Sequence, residues 1–216
     1  MTVSTMLSLL SEGFVTSLLI FALTLLFSMP LGLAVMFGRR SRLTPLRGFI
    51  KAYISIMRGT PLMLQLMVVF YGPKLLLGVT VPGNWRFTAV IVAFVINYAA
   101  YFAEIYRSGI QSIPAGQREA ATVMGYSRSQ TFFRILFPQM VKRVMPPVTN
   151  EVITLVKDTS LAFALAYTEM FTMAKQIASA QASLMPLFIA GLFYYIFNFV
   201  VAFVMEAIEK KLDYYR

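Results

Sequence analysis

Two stretches of this chain, residues 13–38 and 176–205, contain no Asp, Glu, Lys or Arg. An apolar helix needs about 20 residues to cross about 30 Å of hydrocarbon, and both stretches exceed that. The whole composition agrees: 58% of residues are hydrophobic, only 13% are charged, and the mean hydropathy is +0.72. A water-soluble domain of this size lacks neither polar surface nor charge to this degree. The expected fold class is therefore an all-α integral membrane protein, with residues 1–216 forming one transmembrane domain.

The first apolar run is expected to stay in the mature protein. Residues 1–13 carry no Lys or Arg, only Glu12, whereas a removable leader begins with a basic stretch before a short apolar core. The sequence has no cysteine and no histidine, which excludes disulfides and thiolate chemistry and removes the commonest general base and metal ligand. The net charge of +10 invites a nucleic-acid reading. The placement of the charges argues against it, because Lys and Arg gather at the ends of apolar segments as orientation signals do.

Five crossings are expected. The first spans residues 14–37 and is followed by Arg39, Arg40, Arg42, Arg47 and Lys51. The second, residues 53–73, is long enough only if it extends back through Arg58, whose stem can reach the interface. Pro61 should kink or restart it. The Gly- and Pro-rich residues 71–86 read as a loop. The third crossing covers residues 87–106. The fourth begins near Val144, holds Lys157-Asp158 inside and fades by Glu169. Residues 170–183 read as a weakly amphipathic interfacial segment, and the fifth crossing covers residues 187–207 before a charged tail, 209–216. Fifteen of the nineteen basic residues fall in loop 39–58, loop 107–143 and the tail. The positive-inside rule then puts the N-terminus outside and the C-terminus in the cytoplasm.

The loop at 107–143 carries Ser112-Ile-Pro-Ala-Gly-Gln-Arg-Glu-Ala-Ala-Thr-Val-Met-Gly125. Pro114 suits the first turn of a helix, and Glu119, Ala120 and Ala121 continue it. Gly125 fits the left-handed position that ends it. Ser127 and Gln130 make a capping-box pattern that starts another helix. Two short helices at an angle result, with alanines that a partner can approach closely. Geometry alone leaves an ordinary basic loop as the competing reading.

Glu119-Ala120-Ala121, Gly125, Ile135 and Pro138 resemble the EAA loop of ABC-importer permeases (MetI-like type). The form Ser112-Ile-Pro-x-Gly-Gln-x-Glu-Ala-Ala is similar to the polar amino-acid branch, of histidine, glutamine, glutamate and arginine type. So are Arg58-Gly59-Thr60-Pro61-Leu62 with Gln65, Ala100–Arg107 with Glu104, and Leu155–Leu161. Phe137 departs from the leucine usual in that family and keeps its apolar character. The resemblance covers most of the chain. It implies that Gly116, Glu119, Ala120, Ala121 and Gly125 belong to a coupling helix that docks on a P-loop ATPase. No Gly-x-x-x-x-Gly-Lys-[Ser/Thr] loop occurs in the chain, so ATP and Mg would sit on that partner and no cofactor on this subunit. The further implied partners are a second permease copy or a similar permease, and an extracellular or periplasmic amino-acid-binding protein. The location implied is the cell membrane.

Charges at bilayer depth usually face a cavity or a partner, which singles out Glu151, Lys157, Asp158, Thr159 and Ser160 as a candidate substrate pathway. If the helix breaks at Lys157-Asp158, each charge complements the dipole of its half-helix. Capping of that break, or pairing with a neighbouring helix, would explain the same residues. Glu151 and Asp158 lie seven apart on one helical face, and two carboxylates there would favour a cationic amino acid. Glu104 and Arg107 are expected to form a structural ion pair. A secondary transporter would show an internal repeat, and none is visible. An intramembrane enzyme would need a nucleophile and base that the composition does not supply.

Overall fold

The structure, a computed structural model, describes residues 2–212; the end of the basic tail, including Arg216, lies outside the described residues. Every regular element among the described residues is helical. Helix α1 runs Val3–Arg39, α2 Thr44–Gly59, α3 Leu62–Leu77 and α4 Trp85–Gln111. Then come α5, Ala115–Val123, and a short α6, Arg128–Gln130. The latter passes through a π-helical turn, Thr131–Leu136, into α7, Phe137–Asp158. A 3₁₀ segment Thr159–Leu165, α8 Met170–Gln181 and α9 Met185–Lys211 complete the chain.

The long helix α1 turns one face inward, through Met6, Leu10, Gly13, Ser17, Ile20, Thr24, Ser28, Gly32 and Met36. Most of these side chains are small, and so are the α4 residues Ala89, Ala93, Ala99, Ala100 and Ala103, all buried. Small residues let helix backbones approach closely, which is how helices associate where lipid is as apolar as the core. The approach is tight: a Cβ placed on Gly32 would stand 2.8 Å from Cβ of Phe102 and 3.1 Å from the carbonyl oxygen of Ala99. One placed on Gly13 would meet the Met170 backbone at 2.8 Å. The opposite faces of α1 and α9 expose Val15, Leu26, Phe27, Leu192, Phe199 and Phe203. A soluble fold would bury these residues; here they form the surface offered to lipid.

Contacts set the direction of each helix. The last turn of α1 meets the far ends of α4 and the loop, with Phe37 and Phe132 rings 5.1 Å apart and Arg39 3.8 Å from Glu104. The last turns of α9 share a cavity with Lys142 and Pro146 of α7. At the other end, Met6 and Leu10 cluster with Met170, Ala174, Ile177 and Ala190. The beginning of α1 and the end of α9 thus lie at opposite ends of the bundle.

Three helices, α1, α4 and α9, are long and apolar enough to cross a membrane, or four if α2 and α3 together count as one bent span. The expected second crossing is not one rod. It consists of two helices meeting at 115°, because Pro61, in extended conformation, caps α3 and cannot continue α2. The carbonyls freed at the bend are held by side chains. Gln65 Nε2 donates to Met57 O at 3.0 Å, Thr60 O at 3.1 Å and Thr60 Oγ1 at 2.8 Å. Asn97 Nδ2 donates to Met57 O at 3.1 Å and to Gln65 Oε1 at 2.9 Å. The expected fourth crossing corresponds to α7, which is not among the helices apolar enough to cross; it carries Lys142, Arg143, Glu151, Lys157 and Asp158.

The tight α1–α4 contact makes a sharp prediction. Gly32→Leu should lower the thermal unfolding midpoint of the detergent-purified protein, in keeping with overpacking costs of about 1–3 kcal/mol. Gly48→Ala, where no atom lies within 4 Å of the added carbon, should not lower it.

Candidate functional site

Residues singled out in the sequence fall at two places. The first is the basic end. Helix α5 ends as its sequence expects: Gly125 has φ of 77°. Tyr126 N–H donates to Ala121 O and Gly125 N–H to Thr122 O, both at 3.0 Å, which is the Schellman arrangement. Ser127 and Gln130 close a reciprocal capping box, with Ser127 N–H donating to Gln130 Oε1 at 2.8 Å and Gln130 N–H to Ser127 Oγ at 3.3 Å. The helix that starts there is not short. It runs unbroken from Arg128 to Asp158, widened at Thr131–Leu136, where Phe137 N–H reaches back to Phe132 O. Pro138 explains the widening. It has no N–H to donate and its ring would strike the carbonyl four residues back in an ordinary turn.

The candidate coupling residues do not all face the same way. Glu119 and Ala120 are exposed and Gly116 is open to space, but Ala121 is 1% exposed and packs inward. The outward apolar surface comes instead from Val123, 89% exposed, and Met124, 71% exposed. Sequence reading passed over these two, although apolar residues closing a short helix in a polar loop were the available signal. Arg143 ties the loop to α7, with Nη1 donating to the Ser112 carbonyl and, at 3.1 Å, to Ser112 Oγ. Glu104 is bound by Arg107, Nε to Oε2 at 2.9 Å, the expected structural pair. Arg40 is held below the usual guanidinium range, first by burial and then by Arg118 beside it.

The second place is inside the bundle. Tyr98, 2% exposed, donates its hydroxyl to Asp158 Oδ2 at 2.7 Å. Glu151 lies within electrostatic reach of both Asp158 and Arg58, and Arg58 stands over the Tyr101 ring, 5.3 Å from its centroid. The structure thus gathers Arg58, Tyr98, Tyr101, Glu151 and Asp158 from α2, α4 and α7. Thr159 and Ser160 are occupied differently. Their hydroxyls donate to the carbonyls of Val156 and Lys157, each at 2.8 Å. The anticipated break at Lys157-Asp158 is a tightening rather than an interruption. The chain passes from α to 3₁₀ winding with right-handed dihedrals and turns left-handed only at Ala166. Asp158 caps nothing; its carboxylate faces Tyr98.

A buried carboxylate that sequence reading left aside is Glu169. It caps α8, accepting from the Phe171 and Thr172 N–H groups at 2.7 Å, and receives hydroxyls from Ser17 of α1 at 3.4 Å and Tyr194 of α9 at 3.2 Å. Three helices converge on one side chain.

With this architecture in view, residues 28–214 match the family described as binding-protein-dependent transport system inner membrane component. The chain belongs to that family. This makes it a multi-pass inner-membrane permease component of a transport system rather than an enzyme. The permease is 36% identical over 202 residues to the arginine transport system permease protein ArtQ of Bacillus subtilis (strain 168), covering 93% of this chain and 91% of that protein. It is 36% identical over 209 residues to the L-cystine transport system permease protein TcyB of the same organism, at 95% and 87% coverage. Among solved structures, an amino acid ABC transporter with histidines superposes with a TM-score of 0.87 at 27% identity, over 98% of this chain and 100% of that one. The MetNI methionine ABC transporter in an inward-facing conformation shares the fold, with a TM-score of 0.75 at 17% identity over 98% of this chain and 99% of that one.

The permease should depend on the Tyr98–Asp158 bond. Tyr98→Phe leaves a half-buried carboxylate without its donor and should cost about 1–3 kcal/mol of stability, read as a lowered unfolding midpoint. Tyr101→Phe keeps the ring under Arg58 and should change it less.

Proposed function

We propose that this permease forms the translocation path of an ATP-driven importer for polar L-amino acids, with energy supplied by a separate P-loop ATPase dimer holding ATP and Mg. The single observation that carries the reading is the unbroken helix from Arg128 to Asp158. It joins the exposed loop, where Gly116, Glu119, Ala120 and Gly125 lie beside Val123 and Met124, to the polar constellation around Asp158 in the bundle interior. Movement imposed on one end of this helix is passed to the other through its interior Pro146-Pro147 pair, where missing backbone bonds allow bending. Ala121, packed inward, would hold α5 to the bundle rather than touch the ATPase.

In this reading α7 is a fifth crossing, and its charges are tolerated because they face the bundle and a solute path rather than lipid. Opposite ends for the start of α1 and the end of α9, with the arginines gathered at the latter end, support an N-terminus outside and a C-terminus in the cytoplasm. A single small bundle encloses little space, so a second copy or a similar permease completes the path. A binding protein on the outer side delivers the solute, as the family description implies.

Glu151 and Asp158 offer a solute acceptors, with the Tyr98 hydroxyl proton already given to Asp158, and Lys157 next to Asp158 supplies a donor. Thr159 and Ser160 shape the end of the rod through their backbone bonds. A second reading, a cationic amino acid, is favoured by the two carboxylates; Arg58 beside Glu151 favours a neutral polar one.

Two experiments test this. Glu119→Arg and Gly125→Trp should each abolish co-purification with the ATPase, and retention in both variants would refute the docking assignment. Asp158→Asn keeps an acceptor for Tyr98, so assembly should survive while uptake falls at least about tenfold, equivalent to about 1.4 kcal/mol. Undiminished uptake would remove Asp158 from the path. A loss confined to arginine, with glutamine uptake intact, would select the cationic reading.

A further inference from the structure

A cavity of about 770 Å³ opens at the basic end, between the end of α1 and the loop helices. Four arginines line it, Arg40, Arg42, Arg118 and Arg128, and its lining contains no Asp or Glu. Elsewhere at this end Arg39 and Arg107 are paired with Glu104, and Arg143 is hydrogen-bonded to Ser112. Among the described residues the four cavity arginines have no such partner, and Arg118 Nε is buried without any hydrogen bond. Like charges converging on one cavity repel, and an apolar or neutral occupant would leave that repulsion in place. Planar guanidinium forks match phosphate oxygens in geometry as well as charge.

The rim of the cavity is as informative as its charge. Phe37 and Phe133 also line it and are 45% and 62% exposed. Phe37 is the last large side chain of the apolar run of α1, with only Gly38 between it and Arg39-Arg40, so this rim stands where hydrocarbon gives way to headgroups. A free anion would have no use for aromatic side chains there, and an acidic protein surface would meet the same apolar rim. A molecule with an anionic phosphate and an apolar body uses both. We propose that this cavity binds the phosphate of an anionic phospholipid, whose acyl chains lie against Phe37 and Phe133. The site borders α5, since Arg118 and Thr122 line it from that helix. A seated lipid therefore braces the loop against the end of α1, and the surrounding membrane's charge becomes a regulator of how firmly the loop is held.

The test uses the full chain in detergent, titrated with phosphatidylglycerol or phosphatidylcholine and read by native mass spectrometry, which requires neither transport nor an ATPase. Phosphatidylglycerol should be retained at least about tenfold more strongly than phosphatidylcholine. Arg40→Gln with Arg118→Gln should remove that preference, while Arg40→Lys with Arg118→Lys keeps most of it and so separates lost charge from lost folding. Arg47→Gln, away from the cavity, should leave it unchanged. Equal retention of the two lipids, or a preference surviving the double glutamine variant, would overturn the proposal. Displacement of phosphatidylglycerol by millimolar inorganic phosphate alone would assign the cavity to a free anion. Loss of ATPase co-purification in the glutamine variant, with lipid preference intact, would assign it to an acidic partner surface.

Discussion

Inside a bilayer no water is present to satisfy a backbone amide, and that absence governs this permease wherever its helices stop being regular. At the α2–α3 bend the freed carbonyls are taken by Gln65 and Asn97. At the start of α8 the free N–H groups are taken by Glu169. Each solution recruits a side chain that also binds a neighbour: Asn97 brings α4 to the bend, and Glu169 draws in α1 and α9. The interruptions therefore work as the bundle's polar fasteners. Between them, small residues on α1 and α4 supply close backbone contact without polar groups.

Much of this was legible in the chain. Uninterrupted apolar runs announced α1 and α9, since a charge-free run longer than a bilayer has few other uses, while α4 was announced by a shorter one, residues 87–103. Gly125 and the Ser127–Gln130 pair announced the loop's turns, because both are local chemistry completed within six residues. The parts that stayed hidden depend on distant partners. Pro61 signalled a kink or restart but not a bend of 115°, whose geometry rests on Asn97 of another helix. Asp158 was noticed as a charge, yet its partner Tyr98 lies 60 residues away. The two loop alanines read as equivalent, and only the packing of α5 on the bundle turns one inward.

The same contrast separates the two candidate regions. The loop presents apolar and small groups on a scaffold locked by backbone bonds, which suits a surface pressed against another protein. The interior constellation presents carboxylates, a phenol and a guanidinium held by long-range pairing, which suits a small polar solute. The basic cavity lies beside the first and obeys neither pattern, being charged within and aromatic at its rim.

The widened turn ahead of Pro138 has a consequence for the rod as a whole. In an α-helix each residue advances the winding by about 100°, whereas a π turn absorbs an additional residue without extending the helix by a full step. The turn at Thr131–Leu136 therefore sets the angular phase between the loop and the carboxylates farther along. Forcing the same residues into ordinary α winding would leave both ends chemically intact and rotate them out of step. The permease would keep its exposed loop and its polar interior while losing the present alignment between them.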